Sequence, residues 1–122
     1  MRKGMAFAQS DDFESAILEY EKSLALQPTN EKVWNLLGIA NRNLYMQSKE
    51  VAYREAEIIA FEKAIALNGD YWIAIKNLAV THFYSEEKQR AIPYIKRALA
   101  IYPQDPQREL MEQWLRELGS TP

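Results

Sequence analysis

The chain has 122 residues, 48% of them apolar and 26% charged, which is the balance of an ordinary globular protein and the length of one domain. A net charge of -2 gives it no general pull toward nucleic acid or an anionic membrane surface. It has no cysteine, which removes disulfides, thiolate metal ligands and a thiol nucleophile, and no apolar run approaches the roughly 20 residues of a membrane-spanning helix.

The opening MRKGMAFAQSDDF has two basic residues but no apolar block of signal-peptide length. With the missing cysteines this fits a reducing compartment, and a cytoplasmic location is expected. The stretch SDDFESAILEYEKSLALQP then predicts a helix capped by Asp11 or Asp12 and stopped at Pro28. NEKVWNLLGIANRNLY carries apolar residues at 33, 34, 36, 37, 39, 40, 44 and 45, which is helical spacing on more than one face. Thr29 or Asn30 can cap this second helix, with Glu31 favouring its positive end. Gly69-Asp70 and Pro103 close two further helices. Pro93 falls early in the last of these, where a missing N–H is tolerated or a kink follows. In the tail PQRELMEQWLRELGSTP, Leu110, Met111, Trp114, Leu115 and Leu118 form one stripe, and Gly119 is placed to end the helix. No stretch alternates with period two for long, so no sheet is expected.

The same phrase recurs as EYEKSLALQPTN, AFEKAIALNGDY and YIKRALAIYPQD. Phe61 to Ile95, Ala64 to Ala98, Gly69 to Pro103 and Gly4 to Gly38 are all 34 residues apart. Tyr20 to Phe61, Ser23 to Ala64 and Pro28 to Gly69 are 41 apart, so the middle unit holds seven extra residues. A fixed period of this size predicts stacked supersecondary units, none able to bury its apolar face alone. The extra residues fall most naturally in Leu44 to Glu57. Seven residues are about two helical turns, so one helix lengthens by two turns or both by one. The pair would then protrude, carrying Tyr45, Met46, Val51 and Tyr53, either packed on themselves or forming an extra docking edge.

Trp34-Asn-Leu-Leu37-Gly38 resembles the W-x2-L-G opening of the tetratricopeptide repeat. Ala16-x3-Tyr20-x2-Ser23-x4-Pro28 and Ala91-x3-Ile95-x2-Ala98-x4-Pro103 resemble its second half, at the same 34-residue period. The resemblance implies an all-α fold, an α-solenoid of stacked antiparallel helix pairs winding as a right-handed superhelix. The expected organisation is a single domain, 1–122. It comprises repeat one at 1–30, repeat two with its insertion at 31–71, repeat three at 72–105 and a capping helix at 106–118. Small residues (Gly4, Gly38, Ala79, Ser23, Ala64, Ala98) would sit where helices cross closely, with Phe7, Trp34, Tyr20 and Phe61 filling the gaps. Three positions depart from the pattern: Asn41 and His82 stand where an aromatic residue is usual, and Glu57 replaces a small one. A buried Asn41 amide would need a partner. His82, with neither a cysteine nor a second histidine in the chain, fits a ring filling that slot rather than a metal ligand.

In such a stack the first helices line the inner face. The residues expected there are Lys32, Asn35, Leu36, Ile39, Arg42 and Asn43 in repeat two. In repeat three they are Ile73, Lys76, Asn77, Val80, Phe83 and Tyr84, and repeat one offers Met5, Ala8 and Gln9. The resemblance implies that this groove binds a peptide segment of another protein. Amides at 35, 43 and 77 can pair with a peptide backbone, Ile39, Val80, Phe83 and Tyr84 offer anchors, and Lys32, Arg42 and Lys76 favour an acidic or carboxylate-bearing segment. The family's carboxylate clamp for chaperone tails needs Lys and Asn in repeat one, where Met1 and Met5 stand, so that specificity is not expected. Self-association through an open N-terminal edge near Met5 and Phe7 is the alternative. Three cations in a net acidic chain do not make a nucleic-acid stripe. Without a phosphate loop, G-x-S-x-G, H-E-x-x-H or paired catalytic groups, no enzyme activity and no cofactor are expected.

Overall fold

A computed structural model describes residues 12–122. Two compact units divide the chain, residues 1–69 and 70–122. All regular structure among the described residues is helical, as expected.

In the first unit α1 spans Phe13–Leu26, α2 spans Glu31–Ser48 and α3 spans Val51–Leu67. Of the two candidate caps for each start, the later one acts. The Asp12 carboxylate accepts from the Ser15 N–H, and the Asn30 side chain accepts from the N–H groups of Lys32 and Val33. Between α1 and α2, Pro28 cannot continue a helix, and its carbonyl takes the Trp34 indole N–H at 2.8 Å. Trp34 is thus half-buried and tied to the turn, rather than sealed in the core. Ala16, Tyr20, Leu24, Val33, Leu37, Ala40 and Ala60 form the core, where the short turns bring the apolar stripes of successive helices face to face.

The seven extra residues lengthen both helices of one hairpin. Arg42 of α2 corresponds in the repeat to Phe83, but α2 runs on to Ser48, and α3 already begins at Val51. Lys49 joins them in the left-handed conformation at φ 61°, and its N–H closes onto the Tyr45 carbonyl.

In the second unit α4 spans Trp72–Phe83, α5 spans Ala91–Ile101 and α6 spans Arg108–Glu117, with a short 3-10 turn at Lys88–Arg90. Pro93 sits in the first turn of α5, where its missing N–H leaves no bond unmade. Ile75, Leu78, Ala79, Ala91, Ile95 and Ala98 are fully buried, and Met111, Trp114 and Leu115 bring α6 into the same core. Leu110 and Leu118, expected on that stripe, remain partly exposed. Gly119 ends α6 at φ 80°, donating to the Arg116 carbonyl while Ser120 donates to Leu115, the paired bonds of a Schellman cap.

α2 and α3 approach each other closely at Gly38. A Cβ built there would stand 2.5 Å from the Phe61 ring, itself fully buried. Gly38→Ala gains up to about 1 kcal/mol of helix propensity. It must also displace a packed ring, which costs about 1–3 kcal/mol. A net loss of stability is therefore expected in urea unfolding, whereas the same change on an exposed face of α2 would stabilise.

Candidate binding surface

The expected groove residues of α2 and α4 separate into two rows. Lys32, Leu36, Ile39 and Asn43 share one face of α2, and Ile73, Asn77, Val80 and Tyr84 share one face of α4. All eight are exposed or half-buried, with Ile73 at 40% and Tyr84 at 66% exposure. The other four, Asn35, Arg42, Lys76 and Phe83, turn inward. Each is offset from an outer-row residue by one position, about 100° around the helix, which carries the side chain from solvent toward a packed neighbour.

These four correct the expectation that they face a ligand. Asn35 is 4% exposed and has an interaction within the protein. Phe83 is buried, its ring stacked on Trp114 at 4.4 Å between centroids. The Arg42 Nε lies 2.9 Å from Glu57 Oε2, with the guanidinium 5.1 Å above the Phe61 ring. The Lys76 Nζ donates to both oxygens of Asp105, at 2.8 and 3.1 Å. Two of the three cations expected to draw in an acidic ligand are thus committed to carboxylates of the same chain. Met5, Ala8 and Gln9, like Gly4 and the N-terminal edge with Phe7, lie outside the described residues. Within the outer row, Asn43 donates its amide N–H to the Ile39 carbonyl at 2.9 Å, which leaves its own oxygen to accept.

Glu57 has no exposed surface, and a buried carboxylate is costly unless paired. Arg42 takes one oxygen and Arg54 the other, also at 2.9 Å, with the Arg54 guanidinium 4.1 Å over Tyr45. In the second unit the repeat places Phe83 and Ala91 at the positions of Arg42 and Glu57, both buried. An ion pair in one hairpin therefore stands where the other has two buried apolar residues. The sequence carried this signal, because the repeat that loses its small residue at 57 also has an arginine where its neighbour has Phe83.

Asp105 is 4% exposed in the turn between α5 and α6. Burial alone would raise its pKa. The Lys76 hydrogen bond, the Gln107 N–H at 2.9 Å and the Lys76 charge outweigh it, so the carboxyl lies below its ordinary range. The bridge fixes the start of α6 against α4, two elements that sequence spacing did not connect.

The two aromatic-slot departures are both accommodated. Buried Asn41 donates to the Leu37 carbonyl at 2.9 Å, and buried His82 stacks on Tyr94 with ring centroids 5.7 Å apart. Among the described residues no three His, Asp or Glu side chains converge as metal ligands would, and no helix is long and apolar enough to cross a membrane.

Residues 1–30 match the family profile described as Tetratricopeptide repeat. The chain is 31% identical over 101 residues to the peroxisomal targeting signal receptor of Saccharomyces cerevisiae (strain ATCC 204508 / S288c). That alignment takes in 81% of this chain but 15% of the receptor. The crystal structure of MamA shares the fold, with a TM-score of 0.52 at 20% identity over 98% of this chain and 86% of that one. The repeat matched over residues 1–30 and the helix-pair register give the chain the fold of tetratricopeptide-repeat proteins, a helical-repeat solenoid. It is a protein-interaction module.

Two consequences of the buried ion pairs are measurable. Glu57→Ala strands two arginines and is expected to cost about 3–5 kcal/mol. The double variant Arg42→Phe, Glu57→Ala recreates the pairing of the second unit and is expected to be more stable than Glu57→Ala alone, as a double-mutant cycle reads directly. For Asp105 the folded pKa is depressed, so its contribution is present above the ordinary carboxylate pKa of about 3.9 and is lost as pH falls through the lowered folded value. The unfolding free energy of the wild type should decline over that acid range more steeply than that of Asp105→Asn.

Proposed function

We propose that the outer row of α4, and separately that of α2, binds a segment of a partner protein, led by apolar and aromatic contacts. The observation that carries this reading is the row Ile73, Asn77, Val80 and Tyr84. It leaves apolar side chains at the surface of a helix whose inward neighbours, Lys76 and Phe83, are fully engaged within the unit. Tyr84 stands edge-on to Phe83 at 5.2 Å and to Trp114 at 5.9 Å, so its ring is held before any ligand arrives and little rotamer entropy remains to be lost. On α2, Leu36 and Ile39 offer a similar half-buried strip. Lys32, exposed at its start, supplies the remaining preference for an acidic residue, a weaker bias than three converging cations would give.

Affinity capture from lysate of the source organism, read by mass spectrometry, tests this. The wild type is compared with Ile73→Ala, Tyr84→Ala, two exposed positions whose truncation should leave the melting temperature nearly unchanged. Loss of at least one hot-spot contact, about 2 kcal/mol or roughly thirtyfold in affinity, is expected for a partner bound at this row. A partner retained equally by both proteins overturns the assignment.

A further inference from the structure

The insertion that lengthens the α2–α3 hairpin also builds a cleft separate from the outer rows. Where the start of α1 meets the end of α2 and the start of α3, Glu14, Ile17, Leu18, Leu44 and Tyr53 line an open hollow of about 240 Å³. Tyr53 lies in the stretch 43–56 that holds the extra residues, and the register that aligns Glu57 with Ala91 puts Glu87 at its place in the second unit, so the repeat alone would not make this feature. Leu18 is 59% exposed at the wall, and Met46 and Val51 are exposed at the hairpin tip beyond it. Three large apolar side chains left in water at one end of one unit are more than scattered surface residues. The hollow is below the roughly 300–1,000 Å³ typical of a small-molecule site and suits one or two side chains.

Its charge is defined as well. Lys49 and Arg54, the cations nearest the hairpin tip, are turned onto the ring of Tyr45, and Arg54 also pairs with Glu57. Glu14 makes no ion pair among the described residues, so a carboxylate is the charge lining an otherwise apolar cleft. We propose that this cleft is a second docking site for a partner protein, one that inserts a large apolar side chain followed directly by lysine or arginine. The apolar group covers Leu18, Leu44 and Tyr53, and the cation meets Glu14 at the rim. This occupant differs in charge from the one proposed for the outer rows, and neither assignment depends on the other.

The test uses the full chain, labelled with nitrogen-15, titrated with acetyl-Leu-Trp-Lys-Lys-amide and, separately, acetyl-Leu-Trp-Glu-Glu-amide. The lysine peptide should shift amides around Glu14, Leu18, Leu44 and Tyr53 and bind roughly two- to fivefold more tightly than the glutamate peptide, the scale of an exposed ion pair. Glu14→Lys should reverse that preference, and Leu18→Lys, at an exposed position, should abolish the shifts while leaving the rest of the spectrum in place. Shifts confined to α4, no charge preference, or binding that survives Leu18→Lys in a folded protein would each overturn the proposal. Shifts on α4 in that case would bear on the outer rows instead, so the two readings fail separately.

Discussion

The close crossing of α2 and α3 at Gly38 is the constraint on which the first hairpin depends. A residue without a side chain lets the Phe61 ring lie against the α2 backbone, and the ring then becomes a floor for the Arg42 guanidinium. Arg42 turned inward is in reach of Glu57, and Glu57 holds Arg54 in turn. Each step fixes the next, from a glycine to a ring to a salt bridge. The outer row of α2 is what remains when these inward positions have been taken.

The two hairpins solve one geometric problem with different chemistry. At the positions where the first sets Arg42 against Glu57, the second sets Phe83 and Ala91, and all but Arg42 are buried. A buried ion pair is rarely worth more than a well-packed apolar contact, because desolvation offsets most of the attraction. Its persistence in the longer hairpin fits a positional role, since both arginines also rest on aromatic rings and so set where Tyr45 and Phe61 lie. In the second unit the comparable task of fixing an element falls to Lys76 and Asp105, which tie the start of α6 to α4.

Much of the architecture was legible in the sequence because it is written in local or periodic signals. Asp12, Asn30, Pro28 and Gly119 mark helix ends through their own backbone chemistry, and the 34- and 41-residue spacings locate both the repeats and the insertion. The candidate surface was half legible. Helical spacing picked out faces of α2 and α4 that carry exposed or half-buried residues but did not separate Leu36 from Asn35 or Tyr84 from Phe83, since neighbours on a helix differ by a rotation that only the packed partner makes decisive. Arg42 and Lys76 looked like ligand-facing cations because their carboxylates lie far along the chain, at Glu57 and Asp105. Pairing across such distances is a property of the fold and leaves no periodic trace. The cleft at Glu14, Leu18 and Tyr53 was foreshadowed only as an insertion carrying apolar residues.

The differing chemistry of the two hairpins also bears on how a repeat chain avoids pairing its own helices wrongly. Repeats with similar sequences invite the second helix of one to fold onto the first helix of another. Here such an exchange is penalised in both directions. α2 packed on α5 would set Arg42 against Ala91 in place of Glu57, and α4 packed on α3 would set Glu57 against Phe83 with Arg54 alone to pair with it. The charges at 42 and 57 match each other and nothing at the corresponding positions of the second hairpin, which favours α3 over α5 as the partner of α2.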